Sequence, residues 1–365
     1  MKKASIKHVF LKYALGKMPE RKLFCPIPFK QMEIMSGGDT NLCCYIHKSP
    51  GRISSDNIEN VYNSLSAQQI RESILDGTFK YCNLDACPHF SGGDLSLQKD
   101  CTGSRYGNIV TERLTALDDM NLWLSFDRRC NLRCISCRKD YVKYSEEENA
   151  EVERLINVVK NNLSRIKGLG FCGNGEPFAS PAMREFLFSL DSSLYPDLKI
   201  TLLTNGQLFN TRTWESMRKI QRAVKSVQVS IDAATKETYE GLRRGGSFDA
   251  LMRNLSFISD LRRQNLIGEF MISFVANSRN FMEMDDFVRL GLNLGCDTVY
   301  FSAMMDWDIL TAEEYKELAV HLPENELHEK FMEKLKDKIF DNPVVMLGNI
   351  KRFKPNRFLR NSMFS

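Results

Sequence analysis

No run of this chain approaches the roughly 18 consecutive apolar residues of a membrane-spanning helix. The N-terminal stretch MKKASIKHVFLKYALGKM is broken by Lys7, His8, Lys12 and Lys17, so it has no secretory core either. Strong charge of one sign is also missing: 50 Lys and Arg against 46 Asp and Glu leave a formal +4. A protein held to nucleic acid by counterion release carries a larger positive balance, so neither nucleic acid nor a membrane is an expected partner. What the chain has in plenty is cysteine, eleven in 365 residues. Without a secretory signal the expected compartment is the cytoplasm, where thiols stay reduced. Clustered cysteines there point to metal or catalysis before disulfides.

Another absence is local. In RRCNLRCISCRKD, residues 128–140, Cys130, Cys134 and Cys137 stand in the spacing C-x3-C-x2-C with no fourth cysteine. A structural thiolate site closes its coordination with four protein ligands; a site with three keeps one position open for something else.

With 43% hydrophobic residues a substantial core is expected and global disorder is excluded. Residues 4–17 fit a short amphipathic helix that docks on the body of the protein or touches a membrane surface, within an N-terminal segment 1–23. Residues 24–105 are rich in Gly, Ser and Asn and hold Cys25, Cys43, Cys44, Cys82, Cys87 and Cys101. They read as a small loop-rich module stapled by metal rather than by a large core.

From about residue 118 apolar strands alternate with helical patterns. The strands read NLWLSF (121–126), IKGLGFCG (166–173), KITLLTNG (199–206), SVQVSID (226–232), EFMISFVAN (269–277) and DTVYFSAM (297–304). Amphipathic helices are expected at 146–162, 180–190, 211–222, 235–242, 248–263 and 281–294. Successive βα units over 118–310 predict an α/β fold, a parallel sheet curled into a partial (β/α)6 barrel of the TIM type. Residues 311–365 read as a helical extension, with further helix over 311–340 and a basic tail KRFKPNRFLR. In such folds chemistry gathers at the carboxyl ends of the strands. The cysteine loop, GNGEP, TNG, SID and VAN all fall there.

Strand four is the most legible. Val227, Val229 and Ile231 alternate with Gln228, Ser230 and Asp232. One polar face either meets water or lines a cavity. A cavity suits Ser230 and Asp232, which can offer a hydroxyl and a carboxylate to a diol such as ribose. Gly173 and Gly175 allow a tight turn that brings backbone close to a ligand, and Glu176 sits where it could accept from an ammonium group.

These residues resemble a known family. CNLRCISC, GNGEP, TNG and SIDAATKETYEGLRRGGSFDAL, in that order over roughly 118–305, are similar to the radical S-adenosylmethionine (radical SAM) enzymes. The resemblance implies that Cys130, Cys134 and Cys137 hold three irons of a 4Fe–4S cluster, with the fourth iron left to S-adenosylmethionine. Reductive cleavage would then yield a 5′-deoxyadenosyl radical that takes hydrogen from a substrate. By the same resemblance Gly173, Gly175 and Glu176 hold the methionyl amino group and Ser230 and Asp232 contact the ribose. Asn277 approaches the adenosine, and Arg243 is either the partner of the methionyl carboxylate or a surface arginine. Ser136 stands where many members have an aromatic residue near the adenine, which leaves that contact open.

FCPIPFKQMEIMSGGDTNLCCY and ILDGTFKYCNLDACPHF are similar to the SPASM or twitch modules of this superfamily, although those generally follow the barrel. The resemblance implies one auxiliary 4Fe–4S cluster on Cys25, Cys43, Cys82 and Cys87. Cys44 rivals Cys43, Cys101 is left over, and zinc on the same thiolates is the alternative. Cys172, before GNGEP, is either a hydrogen-atom donor to a substrate radical or an inert buried thiol. Cys296 reads as core. The expected substrate is a peptide (cross-linked, oxidised or epimerised), and a sugar or other small metabolite is the alternative. Only 24 residues precede Cys25, too few for a leader-binding segment, which counts toward the small metabolite. A flavodoxin or ferredoxin is the expected electron donor. A non-catalytic zinc or iron–sulfur scaffold is the reading from another class.

Overall fold

The computed structural model describes residues 22–55, 57–101, 103–104, 106–118, 120–171 and 174–354. The expected helix at 4–17, the end of the basic tail, Cys172 and Gly173 lie outside the described residues.

The six expected strands form at Met120–Ser125, Ile166–Phe171, Lys199–Thr204, Val224–Ser230, Glu269–Ala276 and Thr298–Ala303. Helices run between them at Glu146–Asn161, Pro181–Ser189, Thr211–Ser216, Lys236–Leu242, Phe248–Arg263 and Met284–Leu294. The sequence explains their ends. Ser145 and Glu148 close a capping box before Glu146, and three glutamates occupy the positive first turn. Ser247 caps the helix that buries Leu251, Leu255 and Ile258, while Arg262 and Arg263 sit at its negative end. Each such cap stabilises its helix by about 1 kcal/mol.

The chain divides into two compact units. The first comprises residues up to Phe126 together with Ser145–Gly170. Its strand order is Ile166–Phe171, Met120–Ser125, Gln31–Met35, Thr40–Asn41. The segment 24–105 contributes a strand to this sheet. Gln31–Met35 pairs in parallel with the first barrel strand, from Gln31 opposite Asn121 to Met35 opposite Ser125. The Arg154 guanidinium donates to the Ile53 carbonyl at 2.8 Å, tying the helix Glu146–Asn161 to the same segment. The segment also has its own core of Phe24, Phe29, Ile74, Leu75, Phe79 and Cys101. The expected boundary between module and barrel near residue 118 thus falls inside one compact unit.

The second unit comprises Asp127–Tyr144 and everything from Phe171 onward. Its strand order is Val345–Met346, Thr298–Ala303, Glu269–Ala276, Val224–Ser230, Lys199–Thr204, all paired in parallel. The result is the expected α/β fold with a mostly parallel sheet. Phe274 packs against Phe287 and Phe301, with centroids 4.9 and 5.4 Å apart. Two helices are shorter than expected. Thr211–Ser216 ends where Met217 N–H bonds back to Trp214. The stretch 311–340 breaks into Ala312–Leu318 and His328–Lys334, because Pro323 cannot continue a helix.

Candidate functional site

The cysteine loop is held at both ends. Asp127 is buried and its carboxylate is gripped by Arg129, with Nε donating to Oδ1 at 2.9 Å, and by the Ser180 hydroxyl. Further on, Arg133–Cys134 pairs antiparallel with Arg243–Arg244, Cys134 opposite Arg243. The N–H groups of Cys137 and Arg138 both donate to the Cys134 carbonyl, at 3.0 and 3.2 Å, which folds the last two cysteines into one turn.

Cationic and amide donors surround the thiols. Arg138 Nη2 lies 3.3 Å from Cys137 Sγ, Arg243 Nη1 lies 3.7 Å from Cys134 Sγ, and Asn205 Nδ2 lies 3.6 Å from Cys130 Sγ. Burial pushes the Cys130 thiol up to about 11 and raises Cys134, while Arg138 and Arg243 pull the other way. Among the described residues no three Cys, His, Asp or Glu side chains converge on a single metal ion. A cubane takes each thiolate on a different iron, so its ligands stand farther apart than those of one ion.

The glycine loop is built by close approach. A Cβ on Gly175 would lie 2.7 Å from the Arg129 carbonyl oxygen and closer still to that of Asp127, so only glycine fits beside the cysteine loop. Glu176 is 2% exposed. Its Oε1 accepts from Thr204 Oγ1 at 2.8 Å and its Oε2 from Asn205 N at 2.7 Å. Burial raises its carboxyl to about 7 against these bonds. Glu176 therefore first orders the TNG turn, in which Gly206 adopts φ +76°. Thr204, Asn205 and Arg138 were not assigned from the sequence. TNG was visible as a motif, but what Asn205 reaches depends on strand neighbours.

Strand four keeps its expected alternation: Val227, Val229 and Ile231 are buried, and Gln228 and Ser230 half-buried. Ser230 Oγ accepts from Ser273 Oγ at 3.3 Å. Asp232 takes φ +65°. Its Oδ1 accepts from Val275 N at 2.8 Å and its Oδ2 pairs with Arg243 Nη2 at 2.6 Å. Both carboxylate oxygens are thus engaged within the protein. Arg243 is no surface arginine: its side chain is 12% exposed, and Nε is buried with no hydrogen-bond partner. Burial lowers its pKa, but Asp232 and Cys134 outweigh this and raise it. Asn277 is occupied by its own turn, its Oδ1 accepting from Arg279 N at 2.9 Å and its Nδ2 donating to Val275 O at 3.2 Å. Asn280, missed in the sequence, anchors that turn by donating to the Asp232 carbonyl at 2.9 Å.

In the first unit a second group of thiols gathers. Cys43 and Cys44 hydrogen-bond each other. That shared proton and burial raise Cys43, while the same bond lowers Cys44. Cys25 feels both Cys87 and Cys43, and Cys87 feels Cys44. Cys82 bridges Ile46 through backbone and packs, with Cys25, against the Phe24 core. Cys101 is buried with Sγ 3.5 Å from the Leu97 carbonyl, and Cys296 is also buried.

These residues fit the groups the sequence implied. Soft thiolates suit iron–sulfur or zinc. Gly175 leaves backbone, not side chain, beside the cysteine loop. The Nε of Arg243 is a buried donor without a hydrogen-bond partner, on a side chain whose Nη1 lies beside Cys134, and such a donor awaits an acceptor.

Comparison with known proteins points the same way. Residues 124–290 match the radical SAM superfamily. GTP 3′,8-cyclase of Alkaliphilus oremlandii is 26% identical over 187 residues, 50% of this chain and 55% of that protein. A probable GTP 3′,8-cyclase of Methanothermobacter thermautotrophicus is 26% identical over 173 residues, 47% of this chain and 54% of that one. The chain thus spans about half the length of these curated relatives. Among solved structures, Streptococcus suis SuiB bound to S-adenosylmethionine is 12% identical, covering 70% of this chain and 54% of that one at a TM-score of 0.41. The cysteine loop, the glycine turn and strand four all fall within the matched span.

Proposed function

We propose that this chain is a radical SAM enzyme. The observation that carries the reading is the gathering of Cys130, Cys134 and Cys137 on one pinned loop, with Arg138, Asn205 and Arg243 beside their sulfurs. The three thiolates would hold a 4Fe–4S cluster and leave one iron for S-adenosylmethionine. When bound and reduced, that pair supplies a 5′-deoxyadenosyl radical able to take hydrogen from a substrate. The protein's part is positioning. Gly175 lets its loop lie against the cysteine loop, and Glu176 beside it would accept from the methionyl amino group. Arg243 offers Nε to the methionyl carboxylate while Asp232 holds its other end. Ser230 presents a hydroxyl toward the ribose. Gly173, Cys172 and Asn277 keep the roles expected from sequence as part of the proposal, although Asn277 must give up a turn contact to act.

Cys25, Cys43, Cys82 and Cys87 are the preferred ligands of an auxiliary cluster, with Cys44 the rival of Cys43. Cys25, Cys43, Cys44 and Cys87 sense one another, and Cys82 packs with Cys25 against the Phe24 core beside them. The cysteine module supports a peptide substrate. A small metabolite is the second reading, favoured by the curated relatives named for action on a nucleotide.

Anaerobic reconstitution with iron and sulfide tests the core reading. The expected result is a brown protein whose reduced electron paramagnetic resonance signal shifts on adding S-adenosylmethionine and which releases 5′-deoxyadenosine with dithionite. A colourless protein inert toward the nucleotide would overturn it. Mass spectrometry in deuterated buffer then sorts the outcome: deuterium uptake marks epimerisation, and loss of two mass units marks oxidation or cross-linking.

A further inference from the structure

Seven basic residues and no acidic one lie in 128–139 and 243–244. Three serve the site: Arg129 binds Asp127, Arg138 binds Cys137 and the Asn174 carbonyl, and Arg243 binds Asp232. Arg128, Arg133, Lys139 and Arg244 remain, of which Lys139 lies close enough to Glu314 to lower its carboxyl.

Two of them are placed in an unfavourable way. Arg133 stands directly opposite Arg244 in the two-stranded ribbon. Like charges in that position destabilise a strand pair. Neighbouring residues of a strand face opposite ways. Cys134 and Arg243 share the face toward the thiols, with Arg243 Nη1 3.7 Å from Cys134 Sγ, so Arg133 and Arg244 share the other. Arg244 is exposed. Arg133 stacks 4.9 Å above the exposed ring of Tyr141, and its Nε is buried without a partner. Tyr141 is in turn seated on Gly245, whose φ of +91° admits the ring where a side chain would crowd it. A platform of two opposed guanidiniums and one aromatic ring lacks an anion.

We infer that the outer face of this ribbon docks a small acidic protein that carries single electrons. The inference rests on the proposed cluster chemistry, whose only need from outside is an electron. Cys134 and Arg133 are neighbours in the ribbon, so the cationic face lies across one strand from a thiol. The carrier would be oxidised by one electron and the thiolate-bound centre reduced by one, with no proton or group transferred. Carboxylates of the carrier would relieve the Arg133–Arg244 repulsion, and the contact would weaken with salt.

The test uses the full reconstituted chain and flavodoxin. Binding is followed by flavin fluorescence at low and physiological salt, for wild type, R133E/R244E and a control pair R218E/R222E, which reverses two exposed arginines before strand Val224–Ser230. The expected result is a salt-sensitive affinity that falls at least tenfold in R133E/R244E and little in the control. In parallel, 5′-deoxyadenosine release should drop with reduced flavodoxin and hold with dithionite. R244E alone, at an exposed position, serves if the double variant does not fold. Equal affinity in wild type and R133E/R244E, or an equal loss in the control, overturns the docking surface. Failure of the wild type to release 5′-deoxyadenosine with dithionite overturns the cluster chemistry instead, and the binding series still decides the surface.

Discussion

At the scale of single residues, charges are matched before any ligand arrives. Glu176 ionises near 4.5 in an unfolded chain and near 7 in the folded one, because burial penalises its charge. Its contribution to stability is therefore whole below pH 4.5 and is lost as pH rises through 7. Urea unfolding of the cluster-free protein should show stability falling across that window by up to about 3 kcal/mol, and Glu176→Gln should flatten the fall. An equal slope in the variant would show that another group titrates. Asp232 has the opposite part. Without it, Arg243 would be a buried charge beside thiols, so Asp232→Ala should cost about 3–5 kcal/mol of stability, measured by denaturant unfolding. Gly175→Ala forces a methyl against two carbonyls, so it should cost roughly 1–3 kcal/mol and weaken S-adenosylmethionine binding, read by calorimetry.

At the scale of elements, much was written in local pattern. Six strands and the helices between them followed from periodicity and caps, because each depends on neighbours within a few residues. What local pattern hid is instructive. QMEIM alternates as a strand should, with Met32 and Ile34 buried, but its partner lies some ninety residues on and no short-range signal names it. The ribbon joining Arg133–Cys134 to Arg243–Arg244 is two residues per strand and equally silent. The thiol group of the first unit gives an element-scale prediction. Cys87→Ala and Cys82→Ala should each lose the auxiliary metal while leaving uncoupled S-adenosylmethionine cleavage partly intact. Iron and sulfide analysis decides, and full iron retention in either variant would remove that cysteine from the ligand set.

At the scale of the whole molecule, the chain crosses between its two units at Phe126, Tyr144 and Gly170, so the cysteine loop and the N-terminal thiols belong to different compact bodies. The two sets should therefore load independently. Cys130→Ala should abolish S-adenosylmethionine cleavage yet keep about half of the wild-type iron, with absorbance near 400 nm reduced rather than lost. Complete loss of iron in that variant would mean that one cluster is needed to assemble the other.

The sequence by itself determined the strand and helix alternation, the three-cysteine loop, the glycine turn and the polar face of strand four, since these lie in spacing and residue type. Only the tertiary structure decided that Asp232 spends its carboxylate on Arg243, that Asn205 reaches Cys130, and that Arg133 confronts Arg244. Such pairings join residues far apart in the chain, and their energy depends on burial and distance, quantities that exist only once the backbone has been brought together.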